Sequence, residues 1–147
     1  MAGEGVGLGV EVIGASDRRA LQPTDMKIFF DGGCRPNPGA MEVAVVAGGR
    51  TTVLRDLGEG TSADAEWLAL IHALTIAQSL AVPDFVLLGD AADVVAKANG
   101  AVKCRGAALA HLERFRALVS AGRPPRVRYI KRAQNLAGIA LARLHGR

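Results

Sequence analysis

Asp31, Glu66 and Asp90 are the residues whose types and spacing could do chemistry. Each carboxylate stands at the edge of a segment with clear structural signals. Asp31 follows the short apolar run Met26-Lys27-Ile28-Phe29-Phe30, and Asp90 follows Phe85-Val86-Leu87-Leu88-Gly89. Glu66 lies one turn into a helix that starts at Ser62, with Thr61 or Ser62 as its cap. If the strands ending at Asp31 and Asp90 are parallel neighbours, both acids project from one end of a sheet, where open α/β sheets place ligands. Clustered anionic oxygens either raise their pKa values or bind cations, and an all-oxygen donor set suits Mg²⁺ or Mn²⁺. A pair of such ions can clamp a phosphodiester for in-line attack by water. Spacing alone leaves another reading open and ahead: a turn-capping Asp31, a helix-dipole Glu66 and a helix-starting Asp90 with three separate roles.

The elements that must position these acids can be read along the chain. Met26 to Asp31 reads as a strand halted at Gly32-Gly33, followed by a turn, Cys34-Arg35-Pro36-Asn37-Pro38-Gly39, that can be neither helix nor central strand. Met41 to Ala47 and Thr51 to Leu57 read as two further strands of an antiparallel meander. A helix from Ser62 to Leu80 places Trp67, Leu70, Leu74 and Ala77 on one face. Then follow a buried strand at Phe85–Leu88, a helix at Ala92–Ala98, a helix over residues 106–121, a strand at Val127–Ile130 and a helix at Asn135–Leu144. The order predicts an α/β fold: a five-stranded mixed sheet, three antiparallel strands then two parallel ones, with helices on both faces. Residues 1–25, rich in glycine and ending in Gln22-Pro23-Thr24-Asp25, read as a flexible leader or accessory segment before a domain at 26–147.

With 147 residues, 50% of them hydrophobic and 22% charged, the chain is long enough for one globular domain and too ordered in composition for a disordered tail. No apolar run reaches the roughly 18 residues of a membrane span, and the first residues lack a basic signal region. Two cysteines cannot build a disulfide framework, so a soluble cytoplasmic protein with free thiols is expected. The net charge of +4 hides an asymmetry: residues 1–113 carry −5, whereas nine Lys or Arg and no acid follow from Arg114 onward. A cationic segment on an acidic body favours a polyanionic partner, nucleic acid first among them, although a solvated arginine face would look the same. Arg126 and Arg128 alternate with Val127 and Tyr129, so both should leave one face of an outer strand and, with Arg132, track phosphates. A nucleotide-binding domain is disfavoured, because Gly32-Gly33 precedes a proline turn and a strand rather than a helix N-terminus.

Three blocks in order carry a family resemblance. Phe30-Asp31-Gly32-Gly33-Cys34-Arg35-Pro36-Asn37-Pro38-Gly39 resembles the opening signature of type 1 ribonuclease H, a strand ending in Asp followed by a turn with Asn-Pro-Gly. Thr61-Ser62-Ala63-Asp64-Ala65-Glu66-Trp67-Leu68 is similar to the helix block that carries that family's Glu, and Gly89-Asp90-Ala91-Ala92 to its third acidic block. The resemblance implies a ribonuclease H-like fold and metal-dependent endonuclease activity on the RNA strand of RNA–DNA hybrids. It makes Asp31 the bridging metal ligand, with Glu66 and Asp90 completing one site, for up to two Mg²⁺ or Mn²⁺ ions. Gly33, Cys34, Arg35 and Asn37 would contact the nucleic acid across its minor groove, where 2′-hydroxyls mark RNA.

Several positions depart from the family pattern, and one matters most. In Asn135-Leu136-Ala137-Gly138-Ile139-Ala140-Leu141-Ala142, Ile139 stands where the resemblance expects a fourth Asp. An isoleucine offers no lone pair, so a second ion would depend on Asp31, water and substrate phosphate. Two readings follow: a nuclease weakened by that loss, aided by Gln134, Asn135 or a nearby basic side chain, and a catalytically impaired nucleic-acid-binding module. Ala63 and Ala91 also replace the usual Asn and Ser. His72 and His111 read as packed residues, Cys34 as a small filler and Asp93 as a solvent-facing acid, while His145 could reach the site if the last helix folds back.

Overall fold

The central strand of the sheet is the apolar run that ends in Asp31. In the computed structural model, which describes residues 20–119 and 124–146, β1 spans Met26–Cys34. It does not stop at Gly32-Gly33, as the sequence suggests. Its antiparallel ladder to β2 (Gly39–Ala47) runs from Ile28↔Ala47 to Cys34↔Met41, and these hydrogen bonds hold both glycines extended. Gly48 and Gly49, both at positive φ, turn the chain into β3 (Arg50–Leu54). That strand ends three residues earlier than expected. Beyond it Asp56 adopts φ 57°, and a two-residue strand, β4 (Glu59–Gly60), pairs with the start of β2. β5 (Phe85–Gly89) joins β1 in parallel and β6 (Arg126–Tyr129) joins β5 in parallel. The strand order is β3-β2-β1-β5-β6, so the five-stranded mixed sheet stands, with β4 as a short addition.

Helices cover both faces. α1 (Ser62–Leu80) starts in a capping box: the Thr61 side chain accepts from the Asp64 amide, and the Asp64 side chain accepts from the Thr61 amide. Trp67, Leu70, Leu74 and Ala77 are buried, as their spacing requires. With α2 (Ala92–Ala98) and α3 (Gly106–Leu118), α1 closes the larger core over Ile28, Phe30, Val43, Val45, Leu87 and Val127. Each such side chain contributes about 1.5–3 kcal/mol when fully buried. α4 (Leu136–Leu144) covers the opposite face, packing Ala137 and Leu141 on Ala44 and Val46. Phe29, on this second face, also marks the side from which Asp31 emerges, two residues along the strand.

Arg126 corrects one expectation. It is 1% exposed; its guanidinium meets Asp25 Oδ2 at 2.8 Å and donates to the Phe85 carbonyl at 3.0 Å. Alternation put Arg126 and Arg128 on one side of β6, but it could not tell that a carboxylate waits over the first of them. Arg126 therefore ties residues 20–25 to the sheet rather than facing a phosphate; it also donates to the Ala20 carbonyl. The rest of the expected leader, residues 1–19, lies outside the described residues, as do residues 120 and 121 of the expected helix over 106–121. Both cysteines are buried free thiols. Among the described residues no helix is long and apolar enough to cross a membrane.

Candidate active site

Register puts the two aspartates side by side. The parallel ladder of β1 and β5 ends at Phe29↔Leu88, and Asp31 and Asp90 each lie two residues further on. Glu66 arrives from α1, and Gly32 is the residue that lets it in. A Cβ at position 32 would stand 2.1 Å from the Ala65 carbonyl oxygen, so only glycine allows the first turns of α1 to lie against β1. The approach is then fixed by the Gly32 amide, which donates to Glu66 Oε1 at 3.0 Å. Gly89 plays a matching part: a Cβ there would meet the Phe30 ring at 2.4 Å, so its absence lets the ring pack beneath the site. One carboxylate oxygen from each of Asp31, Glu66 and Asp90 then lies within 4.8 Å of the others.

Such proximity is electrostatically costly. Burial, then repulsion from Asp90, pushes the Asp31 carboxyl up to about 7. Burial, then repulsion from Asp31, pushes Glu66 up to about 9. Little positive charge opposes this: Arg132 Nη1 stands 3.9 Å from Asp90 Oδ1, on a side chain 77% exposed. Three hard oxygen donors sharing uncompensated charge are the chemistry of a divalent-cation site, so the donor set fits a magnesium-type ion. Asn135 braces the cluster from below. Fully buried, it donates from Nδ2 to Asp90 Oδ2 and to the Phe30 carbonyl, both at 3.0 Å, and its Oδ1 caps α4 by accepting from the Ala137 amide.

Asp31 and Glu66 open onto a cavity of about 350 Å³. Of the residues expected to touch nucleic acid, Gly33, Cys34, Arg35 and Arg132 line it with Asp31 and Glu66. Asn37 sits beside it on the exposed turn. Its Oδ1 accepts from the Ser62 amide at 3.1 Å and the Cys34 thiol at 3.5 Å, joining the turn to the start of α1. Arg128 lies apart on edge strand β6, half-buried, donating to the Val127 carbonyl at 3.4 Å. Asp93 is exposed and paired with Lys97, and His111 stacks on Trp67 and bonds Asp64.

α4 presents Gly138, Leu141, Ala142 and His145 to the cavity. A Cβ on Gly138 would lie 3.5 Å from Asp31 Oδ2 and 3.6 Å from Asp90 Oδ2, so this helix passes directly over the cluster without giving it an acid. Ile139 is the next residue, half-buried. The last helix does fold back, and it brings His145 onto Glu42, a buried carboxylate of β2 that also lines the cavity. Sequence reasoning passed over Glu42, although one signal was present: it is the single charged residue in an otherwise apolar strand. Asn135 carried a signal too, as an Asn directly before a helical run.

The twisted mixed sheet flanked by helices, with carboxylates from two parallel strands and the first helix meeting at one end, defines a ribonuclease H-like fold. A family profile described as reverse transcriptase-like matches residues 30–145. The RNase H1 of the halophilic archaeon Halobacterium salinarum NRC-1 is 29% identical over 80% of this chain and 93% of its own, with a TM-score of 0.69. LC11-RNase H1, isolated from compost by a metagenomic approach and solved in complex with an RNA/DNA hybrid, is 26% identical over 80% of this chain and 93% of its own, TM-score 0.68. The N-terminal RNase H domain of a Mycobacterium tuberculosis protein, solved as a fusion with maltose-binding protein, is 25% identical over 83% and 99%, TM-score 0.66. Among curated proteins, none matches. The chain belongs to the reverse transcriptase-like family and, within it, to the type 1 ribonucleases H.

Proposed function

We propose that this protein is a divalent-cation-dependent endonuclease that hydrolyses the RNA strand of RNA–DNA hybrids. The observation that carries the reading is the meeting of Asp31, Glu66 and Asp90 oxygens within 4.8 Å, with Asp31 and Glu66 lining an open cavity. A surface meant only to hold phosphates gains nothing from three clustered negative charges, which repel them.

Asp31, Glu66 and Asp90 would hold Mg²⁺ or Mn²⁺. When bound, such ions neutralise phosphate oxygens and raise the nucleophilicity of water. The chain's own residues do the remaining work. Asn135 keeps Asp90 oriented, and the Gly32 amide keeps Glu66 oriented. Arg35 and Arg132, at the mouth, are suited to the phosphates on either side of the scissile bond. The turn from Gly33 to Asn37, open on its outer side, can approach the wide, shallow groove of a hybrid closely. Arg128, on the same sheet face but two strands away, would meet the backbone further along. Buried free thiols at Cys34 and Cys104 accord with a reducing, cytoplasmic setting.

The absence of an acid on α4 favours a second reading, a nucleic-acid-binding module with little turnover. Cleavage of a labelled RNA–DNA hybrid in Mg²⁺ and in Mn²⁺, with Asp31→Asn as control, separates the two. Metal-dependent cuts in the RNA strand that vanish in the variant are expected. Binding without any cut, at high enzyme concentration and excess Mn²⁺, would establish the module instead.

A further inference from the structure

The lip of the cavity facing α1 holds a polar couple for which the three-carboxylate cluster gives no reason. Glu42 is 8% exposed and pairs with Gly33, while Asp31 pairs with Ala44. Glu42 is therefore the diagonal neighbour of Asp31 on the same sheet face, and such neighbours stand about 7–8 Å apart. One Glu42 oxygen meets Nε2 of His145; the other faces Arg55 Nε at 3.4 Å. The imidazole lines the same cavity as Asp31 and Glu66 and keeps 18% of its side chain exposed. Fastening α4 to β2 does not require this pair, since Ala137 and Leu141 already pack on Ala44 and Val46. A buried ion pair is also a weak way to gain stability, because desolvation offsets the attraction.

We propose that His145, oriented by Glu42, is the proton acceptor of the hydrolytic site, supplied from the end of α4. This inference rests on the hydrolytic reading above. A carboxylate that takes the Nε2–H fixes the tautomer and leaves Nδ1 as the accepting atom, and imidazole is the side chain that exchanges protons near neutral pH. In the step, the oxygen of water forms a bond to phosphorus and its proton passes to Nδ1. The bond from phosphorus to the ribose 3′-oxygen breaks, its electron pair leaves on that oxygen, and solvent protonates it. His145 then returns its proton to solvent, so one water is consumed and the protein is unchanged. Among the described residues, the other charged groups that line this cavity are Asp31 from β1, Glu66 from α1, Arg35 from the turn and Arg132 beyond β6, and Arg55 stands behind Glu42.

The test uses the full chain, an RNA–DNA hybrid and saturating Mg²⁺. General-base catalysis is worth about 10²–10⁴-fold, so His145→Ala should lower kcat by at least about 100-fold with KM for hybrid within twofold of wild type. Added imidazole should restore part of that rate, and should do nothing for Asp31→Asn. His145→Gln retains a donor for Glu42, so it keeps the contact but not the base; it should be as slow as His145→Ala. Glu42→Gln should show a smaller fall in kcat. Wild-type kcat in His145→Gln, or no imidazole rescue of His145→Ala, would overturn the inference while leaving the nuclease reading intact. A wild-type chain that does not cut the hybrid would overturn both.

Discussion

The two lips of the cavity are built by different means. On the α1 side, backbone touches backbone: Gly32 lies where a single methyl would collide with Ala65, and Glu66 is held by an amide of the strand it faces. On the α4 side, contact runs through side chains: Asn135 to Asp90, His145 to Glu42, and small apolar residues between. The first kind of lip tolerates almost no change in residue size and so leaves a fixed motif. The second can exchange one polar group for another, which is how α4 can pass over the cluster with Gly138 and Ile139 and still bring an ionisable group to the cavity.

Gly32→Ala should break the contrast most severely. The added Cβ meets backbone rather than a flexible side chain, so α1 must shift and carry Glu66 with it. Overpacking of this kind costs roughly 1–3 kcal/mol, and a 1 Å displacement of a site group costs on the order of 100-fold in rate. A folded Gly32→Ala protein that cleaves hybrid at the wild-type rate would show that the α1 lip is not set by this approach.

Asn135→Ala probes the side-chain lip. It removes the α4 cap and leaves the buried Phe30 carbonyl and Asp90 without their amide partner. A loss of about 10–100-fold in activity is expected, as for groups that orient metal ligands, with about 2–3 kcal/mol of stability read from denaturant unfolding. Asn135→Asp sharpens the point. It keeps the cap oxygen but sets a carboxylate against Asp90, so cleavage should fall more than stability does. Wild-type cleavage in Asn135→Asp, with a loss confined to Asn135→Ala, would reduce Asn135 to a helix cap.

The same division explains what could be read without coordinates. α2 was legible to the residue, because Asn99-Gly100 stops a helix by local conformational preference. The carboxylate blocks were legible because the backbone of α1 demands Gly32 next to Asp31, and the Phe30 ring demands Gly89 next to Asp90. The extension of β1 through Gly32-Gly33 was not, since the ladder to β2 overrides glycine's local preference. Glu42 and Arg126 failed for another reason. Each shows itself as a charge in a strand, but its meaning depends on a partner about a hundred residues away, His145 for the one and Asp25 for the other.

Ile139→Asp tests whether the α4 lip can accept the acid that the family resemblance places there. Gly138 is the position whose Cβ direction points at Asp31 and Asp90, and a side chain at 139 leaves the helix about 100° away, so an acid there must reach back toward the cluster. A rise in metal-dependent cleavage of severalfold is expected, with KM little changed. An unchanged rate would mean that the lip has been rebuilt around other groups and no longer has a place for that carboxylate.

The smallest effect is thermodynamic and needs no substrate. Native Asp31 and Glu66 keep their protons up to about 7 and about 9, whereas in the unfolded chain both release them near pH 4. Between those limits the native state binds more protons than the unfolded one, so without divalent cation these groups' contribution to stability is full below about pH 4 and is lost as pH rises toward 9. A cation at the cluster takes over the compensation that protons provide at low pH, and competes with them for the same oxygens. The increase in Tm on adding Mg²⁺ should therefore be near zero at pH 5 and grow by several degrees toward pH 9, and Asp31→Asn should flatten that dependence. An increment equal at every pH, or one that survives in Asp31→Asn, would place the bound cation elsewhere on the molecule and leave the α1 lip as a packing arrangement rather than a metal centre.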